Sequence, residues 1–277
     1  MFTTLLHTPV LDASARQRIG AAISGDLECC GGFFRLRHAR ALDTDGLAAL
    51  RSALPFDVNT LPAGFEADRV RLLVTDMDST LITIECIDEI ADFAGRKPEV
   101  AAVTEAAMRG EIDFPTSLRR RVAALEGLEE TALLRVYEER LQLNPGAEAL
   151  IAGLKARGVQ VGLVSGGFSF FTERLRDRLG LDDALANTLE VKGGRLTGQV
   201  LGDIVDADAK ARFLTSLCEH LDIAPAQVIA LGDGANDLKM LHTAGLGVAF
   251  RAKPKVQAAA GAVLNHSGLD AVLHFLE

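Results

Sequence analysis

Three short apolar runs, each emptying into a polar or glycine-rich turn, set the architecture this chain can adopt. VRLLV at 70–74 leads into Asp76-Met77-Asp78-Ser79-Thr80, and VQVGLV at 159–164 leads into Ser165-Gly166-Gly167. VIAL at 228–231 leads into Gly232-Asp233-Gly234-Ala235-Asn236-Asp237. Continuous apolar runs of this length suit strands buried on both faces, and such strands belong to parallel sheets covered by helices. Helical patterns alternate with them: GAEALIAGLKARG, closed by Gly158, then FSFFTERLRDRLG, DAKARFLTSLCEHL and ANDLKMLHTAG, with LGVAF as a further strand. TLEV-KGGR-LTGQV reads as a hairpin. From about Ile84 to Leu143 the pattern is helical throughout, each segment stopping at Gly or a polar turn. The expected fold is α/β: a Rossmann-like parallel-sheet core, with a helical cap at about 84–142 inserted after the first core strand.

Residues 1–66 are expected to form a small N-terminal α+β region of uncertain role, with 67–277 as the main domain. DASARQRIGAAI and TDGLAALRSAL suit short helices, and GGFFRLRHARAL holds a strand. The stretch LPFDVNTLPAGFEAD reads as a linker. With 48% hydrophobic and 24% charged residues among 277, the chain is globular in composition. No run approaches the ~20 apolar residues of a membrane span, and the N-terminus lacks a signal-peptide pattern, so a cytoplasmic protein with no membrane partner is expected. A net charge of −9 without a basic tail argues against nucleic acid as a partner. The four cysteines (Cys29, Cys30, Cys86, Cys218) and six histidines show no metal-ligand spacing, and the thiols are expected to be reduced. Cys86 reads as a small buried filler.

In open α/β sheets, ligands sit beyond the carboxyl ends of the strands. Asp76 and Asp78, two apart on leaving a strand, can face one crevice and divide nucleophilic from acid–base work. Either alone also reads as a turn residue. Ser165 with Gly166 offers a hydroxyl and open backbone N–H groups to phosphate oxygens. Lys210, opening a helix, can supply a fixed positive charge. Asp233, Asn236 and Asp237 cluster oxygen donors of the kind Mg²⁺ prefers.

DMDST, SGG, Lys210 and GDGAND, in this order and separated by α/β units, resemble the four motifs of the haloacid dehalogenase-like phosphotransferases. The wider runs DMDSTLITIECIDEIADFAG, SLRRRVAAL, VSGGF and LGDGANDLKML are similar to the phosphoserine phosphatase branch of that superfamily, over about residues 70–265. The resemblance implies that Asp76 is the nucleophile, forming an aspartyl-phosphate, and Asp78 the proton donor and later the base. It implies Mg²⁺ held by the carboxylates of Asp76 and Asp233 and the backbone carbonyl of Asp78. Ser165, Gly166, Lys210 and Asn236 would hold phosphate, with Asp237 orienting its neighbours. Asp76 is then expected ionised and Asp78 protonated.

In the cap, the resemblance assigns Glu85 to the substrate ammonium, Arg121 to its carboxylate, and Met108 and Phe114 to an apolar wall. By the residues alone, Arg121 in Arg119-Arg120-Arg121 reads equally as part of a solvated basic face, and Met108 and Phe114 as core. The implied reaction is Mg²⁺-dependent hydrolysis of O-phospho-L-serine, the last step of serine biosynthesis. Another small phosphate ester, and a binding protein that has lost hydrolysis, stay open as alternatives. Oligomeric state is open, a homodimer included. The cap is expected to act as a lid, with hinges near Thr83–Ile84 and in 142–145.

Overall fold

The structure, a computed structural model, describes residues 1–40 and 42–277. The N-terminal part runs β1 (Phe2–Leu6), α1 (Ala13–Ala22), β2 (Asp26–Cys29), β3 (Phe34–His38), α2 (Thr44–Ala53) and β4 (Val58–Thr60). Asp12 and Asp43 cap the two helices, their carboxylates accepting from the N–H groups of Ala15 and Gly46. The strands pair antiparallel in the order β2-β3-β1-β4, a ferredoxin-like βαββαβ unit. Leu6, Ile19, Leu36, Leu50 and Val58 form its own core.

The expected linker instead carries β4. Its Asp and Asn resemble turn formers, yet Asp57 and Asn59 are buried and join the two sheets. Asn59 pairs its side-chain amide with Val263, accepting from the N–H (2.7 Å) and donating to the carbonyl (2.9 Å). Asp57 accepts N–H bonds from Asn265, His266 and Ser267. Composition reports such residues as turn-like because it cannot register a partner some 200 positions away.

The larger part begins with β5 (Leu72–Thr75), followed by cap helices α3 (Cys86–Phe93), α4 (Lys97–Met108), α5 (Phe114–Ala123) and α6 (Thr131–Arg135). The chain then returns through α7 (Ala147–Ala156), β6 (Gln160–Phe168), α8 (Ser169–Leu179) and the hairpin β7 (Asp183–Lys192)–β8 (Arg195–Leu201). It continues with α9 (Ala207–Leu221), β9 (Val228–Gly232), α10 (Leu238–Thr243), β10 (Leu246–Phe250), α11 (Pro254–Ala259), β11 (Ala262–Leu264) and a 3₁₀ segment (Leu269–Leu276). The seven strands lie in the order β11-β10-β9-β5-β6-β7-β8, parallel except for the hairpin pair. Leu72, Leu73 and Val74 are almost wholly buried because β5 sits mid-sheet with helices on both faces. Each such side chain contributes about 1.5–3 kcal/mol of burial. β11 and α11 had no counterpart in the sequence reading; at three and six residues they are too short for a periodic signal.

The two segments joining the cap to the core run side by side. Thr83 N–H donates to the Gln142 carbonyl and Asn144 N–H to that of Leu81. The buried Asn144 side chain donates to the carbonyls of Thr80 (2.8 Å) and Ile82 (3.0 Å). The expected hinge positions are therefore neighbours in space. Among the described residues, no helix is long and apolar enough to cross a membrane.

Candidate active site

The carboxyl ends of β5, β6 and β9 meet beneath the cap around a cavity of about 470 Å³. Asp76 leaves β5 with its N–H held by the Leu231 carbonyl of β9. The next turn is irregular, and Ser79 takes a left-handed backbone (φ +56°) that a residue with a side chain adopts only under constraint. That reversal aims the Ser79 hydroxyl at Glu85 Oε1, 2.7 Å away. It also brings Asp78 under the first turn of α3, where Oδ1 accepts from the Cys86 N–H at 2.9 Å. Asp78 Oδ2 accepts from the Ser165 hydroxyl at 3.1 Å, and Ser165 Oγ in turn accepts from the Gly167 N–H.

The glycines after Ser165 are required by space. A Cβ on Gly167 would lie 2.6 Å from Asp78 Oδ2, and one on Gly166 would lie 2.9 Å from the Phe114 ring. Asn187, which sequence reasoning missed, fixes this loop from the outside. Its buried amide donates to the Gly166 carbonyl (2.8 Å) and accepts from the Val205 N–H (2.8 Å). Nothing in its local sequence marks it.

Lys210 sits one turn into α9, whose start is set by the Asp206 cap on the Ala209 N–H. Its fully buried ammonium contacts Asp76 Oδ1 at 2.5 Å and Asp237 Oδ1 at 2.6 Å. Burial opposes the charge, but the two carboxylates outweigh it and raise the Lys210 pKa. Asp237 also accepts from the Gly234 N–H (2.9 Å), so both its oxygens are engaged in orienting neighbours. Asp233 accepts from the Thr80 hydroxyl at 3.1 Å.

Oxygens of Asp76, Asp233 and Asp237 lie within 4.8 Å of one another. Burial and then the Asp237 charge push Asp76 well above the usual carboxylate range, against Lys210. The same two causes push Asp233 up to about 6. One ammonium does not balance three converging carboxylates, and the all-oxygen donor set fits a hard divalent cation such as Mg²⁺. The Asp78 carboxylate is not in this grouping; it is turned to Ser165 and Cys86, and burial raises its pKa although both donors oppose the shift. Burial thus raises both Asp76 and Asp78, and the expected ionisation of Asp76 depends on the charge of a cation facing it.

The cap contributes one helix face. Phe114, Leu118 and Arg121 line the cavity at i, i+4 and i+7 of α5. Arg119 and Arg120 are exposed, so only one of the three arginines points inward. Arg121 Nε is buried with no hydrogen-bond partner among the described residues. Desolvation lowers its pKa, against the charges of Asp88, Glu85 and Asp78. Glu85 lines the cavity while staying open to solvent, and partial desolvation, with Asp78 nearby, pushes it up to about 7. Met108 lines the cavity but is 68% exposed, a wall of the mouth and not a core residue. Asn236 and Gly234 complete the β9 side. Asp88, Lys253 and Lys255 also line the cavity and were missed. For the lysines the signal was present, since they follow a strand that ends at the same rim as the others.

The model of the haloacid dehalogenase-like hydrolase family matches residues 73–242. A phosphoserine phosphatase of Polaromonas sp. is 51% identical over 225 residues, covering 79% of this chain and 95% of its own. Among solved structures, an unliganded probable phosphoserine phosphatase from Vibrio cholerae superposes with a TM-score of 0.85 at 39% identity, covering 99% of this chain and 85% of its own. A phospho-aspartyl intermediate analogue of phosphoserine phosphatase superposes with a TM-score of 0.70 at 39% identity, over 75% of this chain and 99% of its own. The chain belongs to the haloacid dehalogenase-like hydrolases, in the branch of the phosphoserine phosphatases. It is an enzyme, as the expectation from its motifs held.

Proposed function

We propose that this enzyme hydrolyses O-phospho-L-serine to L-serine and inorganic phosphate through a phosphorylated Asp76, as the last step of serine synthesis in the cytoplasm. The observation that carries the reading is the cavity's two-ended chemistry. Asp76, Asp78 and Ser165 line it, with Lys210 against Asp76, and so do Glu85 and Arg121, whose buried Nε has no partner among the described residues. A substrate with phosphate at one end and an ammonium and carboxylate at the other satisfies both.

Asp76 attacks phosphorus through Oδ2, which carries no hydrogen bond among the described residues, while Lys210 holds Oδ1. Asp78, whose pKa burial raises, gives its proton to the departing seryl oxygen, then takes one from the water that hydrolyses the acyl phosphate. Ser165, the Gly166 N–H, Asn236 and Lys210 hold the phosphate oxygens as charge spreads. Asp76, Asp233 and the Asp78 carbonyl would hold Mg²⁺, which when bound offsets repulsion between the carboxylates and the phosphate dianion. Glu85 accepts from the substrate ammonium, Arg121 forks onto its carboxylate, and Met108 and Phe114 wall the methylene. The paired stalks at 81–83 and 142–144 would let the cap close as one body over the intermediate.

The test is phosphate release from phosphoserine, phosphothreonine, phosphocholine and an aryl phosphate, with Mg²⁺ and with chelator. The expected result is Mg²⁺-dependent preference for phosphoserine. Aryl ester hydrolysis without phosphoserine hydrolysis would overturn the head-group assignment.

A further inference from the structure

Charge around the cavity is lopsided. Asp76, Asp78, Glu85, Asp88 and Asp233 line it, while Lys210 is already committed to Asp76 and Asp237. On a chain of net charge −9, a phosphate dianion approaching this mouth meets repulsion before it meets any ligand. Apart from Arg121 on the cap, the cationic groups lining the cavity are Lys253 and Lys255, both exposed and neither in an ion pair among the described residues.

The loop that carries them is held in place on the rim. Arg251 leaves β10 in a left-handed conformation (φ +45°), which persists in a non-glycine residue only where the surroundings over-determine it. Its N–H donates to the Leu264 carbonyl at 2.7 Å, and its guanidinium stacks 5.0 Å from the Phe250 ring centroid. Gln257 Nε2 donates to the Ala252 carbonyl at 2.6 Å, and Pro254 opens α11. Two flexible ammonium groups are thus presented from a fixed backbone, on the core side of the mouth and opposite the cap.

We propose that Lys253 and Lys255 form an electrostatic guide that draws the substrate's phosphate dianion past the acidic rim to Asp76. They act on the approach of the dianion, through charge alone, and the reacting atoms are held by other groups. The inference rests on the phosphomonoesterase reading of the cavity. It predicts that the pair governs kcat/KM and phosphate affinity in a salt-dependent way, and leaves kcat in place.

The experiment compares the full-length Mg²⁺ enzyme with its Lys253→Gln/Lys255→Gln and Lys253→Arg/Lys255→Arg variants on phosphoserine, across ionic strength. At about 20 mM salt the Gln pair should lower kcat/KM about tenfold, converging on the parent near about 0.5 M, with kcat within about twofold. The Arg pair should retain the parent's behaviour. A loss independent of salt, a loss in kcat, or no loss at low salt would overturn the proposal. Inorganic phosphate binding, measured by calorimetry on the same proteins, keeps the two readings apart. A parent inactive on phosphoserine refutes the substrate assignment, whereas equal phosphate affinity in parent and Gln pair at low salt refutes the guide whatever the turnover.

Discussion

Replacing Arg121 with Met tests how the cap recognises its substrate, because the structure predicts opposite effects on stability and activity. Arg121 Nε is buried without a partner, and desolvation lowers the guanidinium pKa. An unsatisfied buried donor costs about 1–3 kcal/mol, and Met keeps most of the side-chain volume without it. The unfolding free energy should rise by about 1–2 kcal/mol, which moves Tm up by about 2–6 °C for a chain of this size. Activity should move the other way. A guanidinium fork onto a carboxylate makes two charge-assisted bonds, and losing them should lower kcat/KM on phosphoserine by about 10²–10³-fold. Para-nitrophenyl phosphate has no carboxylate, so its kcat/KM should stay within about threefold. The assays are a thermal melt and paired steady-state kinetics. A lower Tm with equal losses on both substrates would show instead that Arg121 is a structural residue and not a carboxylate clamp.

Gly167→Ala places a Cβ 2.6 Å from Asp78 Oδ2 and 3.0 Å from Ser165 Oγ. Displacing Asp78 should lower kcat on phosphoserine by about 10²-fold, and less on para-nitrophenyl phosphate, whose leaving group needs little protonation; equal losses would argue against Asp78 as the acid. Away from the site, Asn59 fixes the tautomer of His7. Its Nδ2 donates both to the Val263 carbonyl and to His7 Nε2, so Nε2 must accept and His7 Nδ1–H must point at His274 Nδ1. Burial, then His274, push the His7 pKa down from 6.5 to about 3. The unfolded chain therefore binds this proton and the native state does not. This stability is complete above about pH 6.5 and is lost progressively as pH falls toward about 3, by up to about 4–5 kcal/mol. Urea melts from pH 7 to 4 should show the decline, and His7→Phe should flatten it; an unchanged pH dependence in that variant would contradict the assignment.

Much of this was legible because the chemistry lies where β-strands end. Asp76, Ser165 and Asp233 each follow an apolar run that reads directly as a buried strand, and Asp233, Asn236 and Asp237 fall within a span of five residues beyond the last of them. Arg121 was not decidable from SLRRRVAAL alone. The three arginines differ only in which face of α5 they occupy, and the register is set by the Asp113 cap and by packing of Leu118 and Val122. In the N-terminal α+β region the strand in GGFFRLRHARAL was legible, but two others were not: DLEC is wholly exposed on an edge strand, and VNT is three residues long. Neither carries an alternating pattern. Lys253 and Lys255 were passed over because a lysine pair reads as surface unless the rim at which its preceding strand, LGVAF, ends is taken into account.

The proposed reaction requires that phosphate pass through Asp76. Rapid acid quench of the Mg²⁺ enzyme with ³²P-labelled phosphoserine, followed by peptide mapping, would trap that phosphorylated Asp76. The predicted result is an acid-stable, hydroxylamine-sensitive label on Asp76, formed and lost at rates that account for turnover. Full turnover by Asp76→Asn, or label on any other residue, would contradict it.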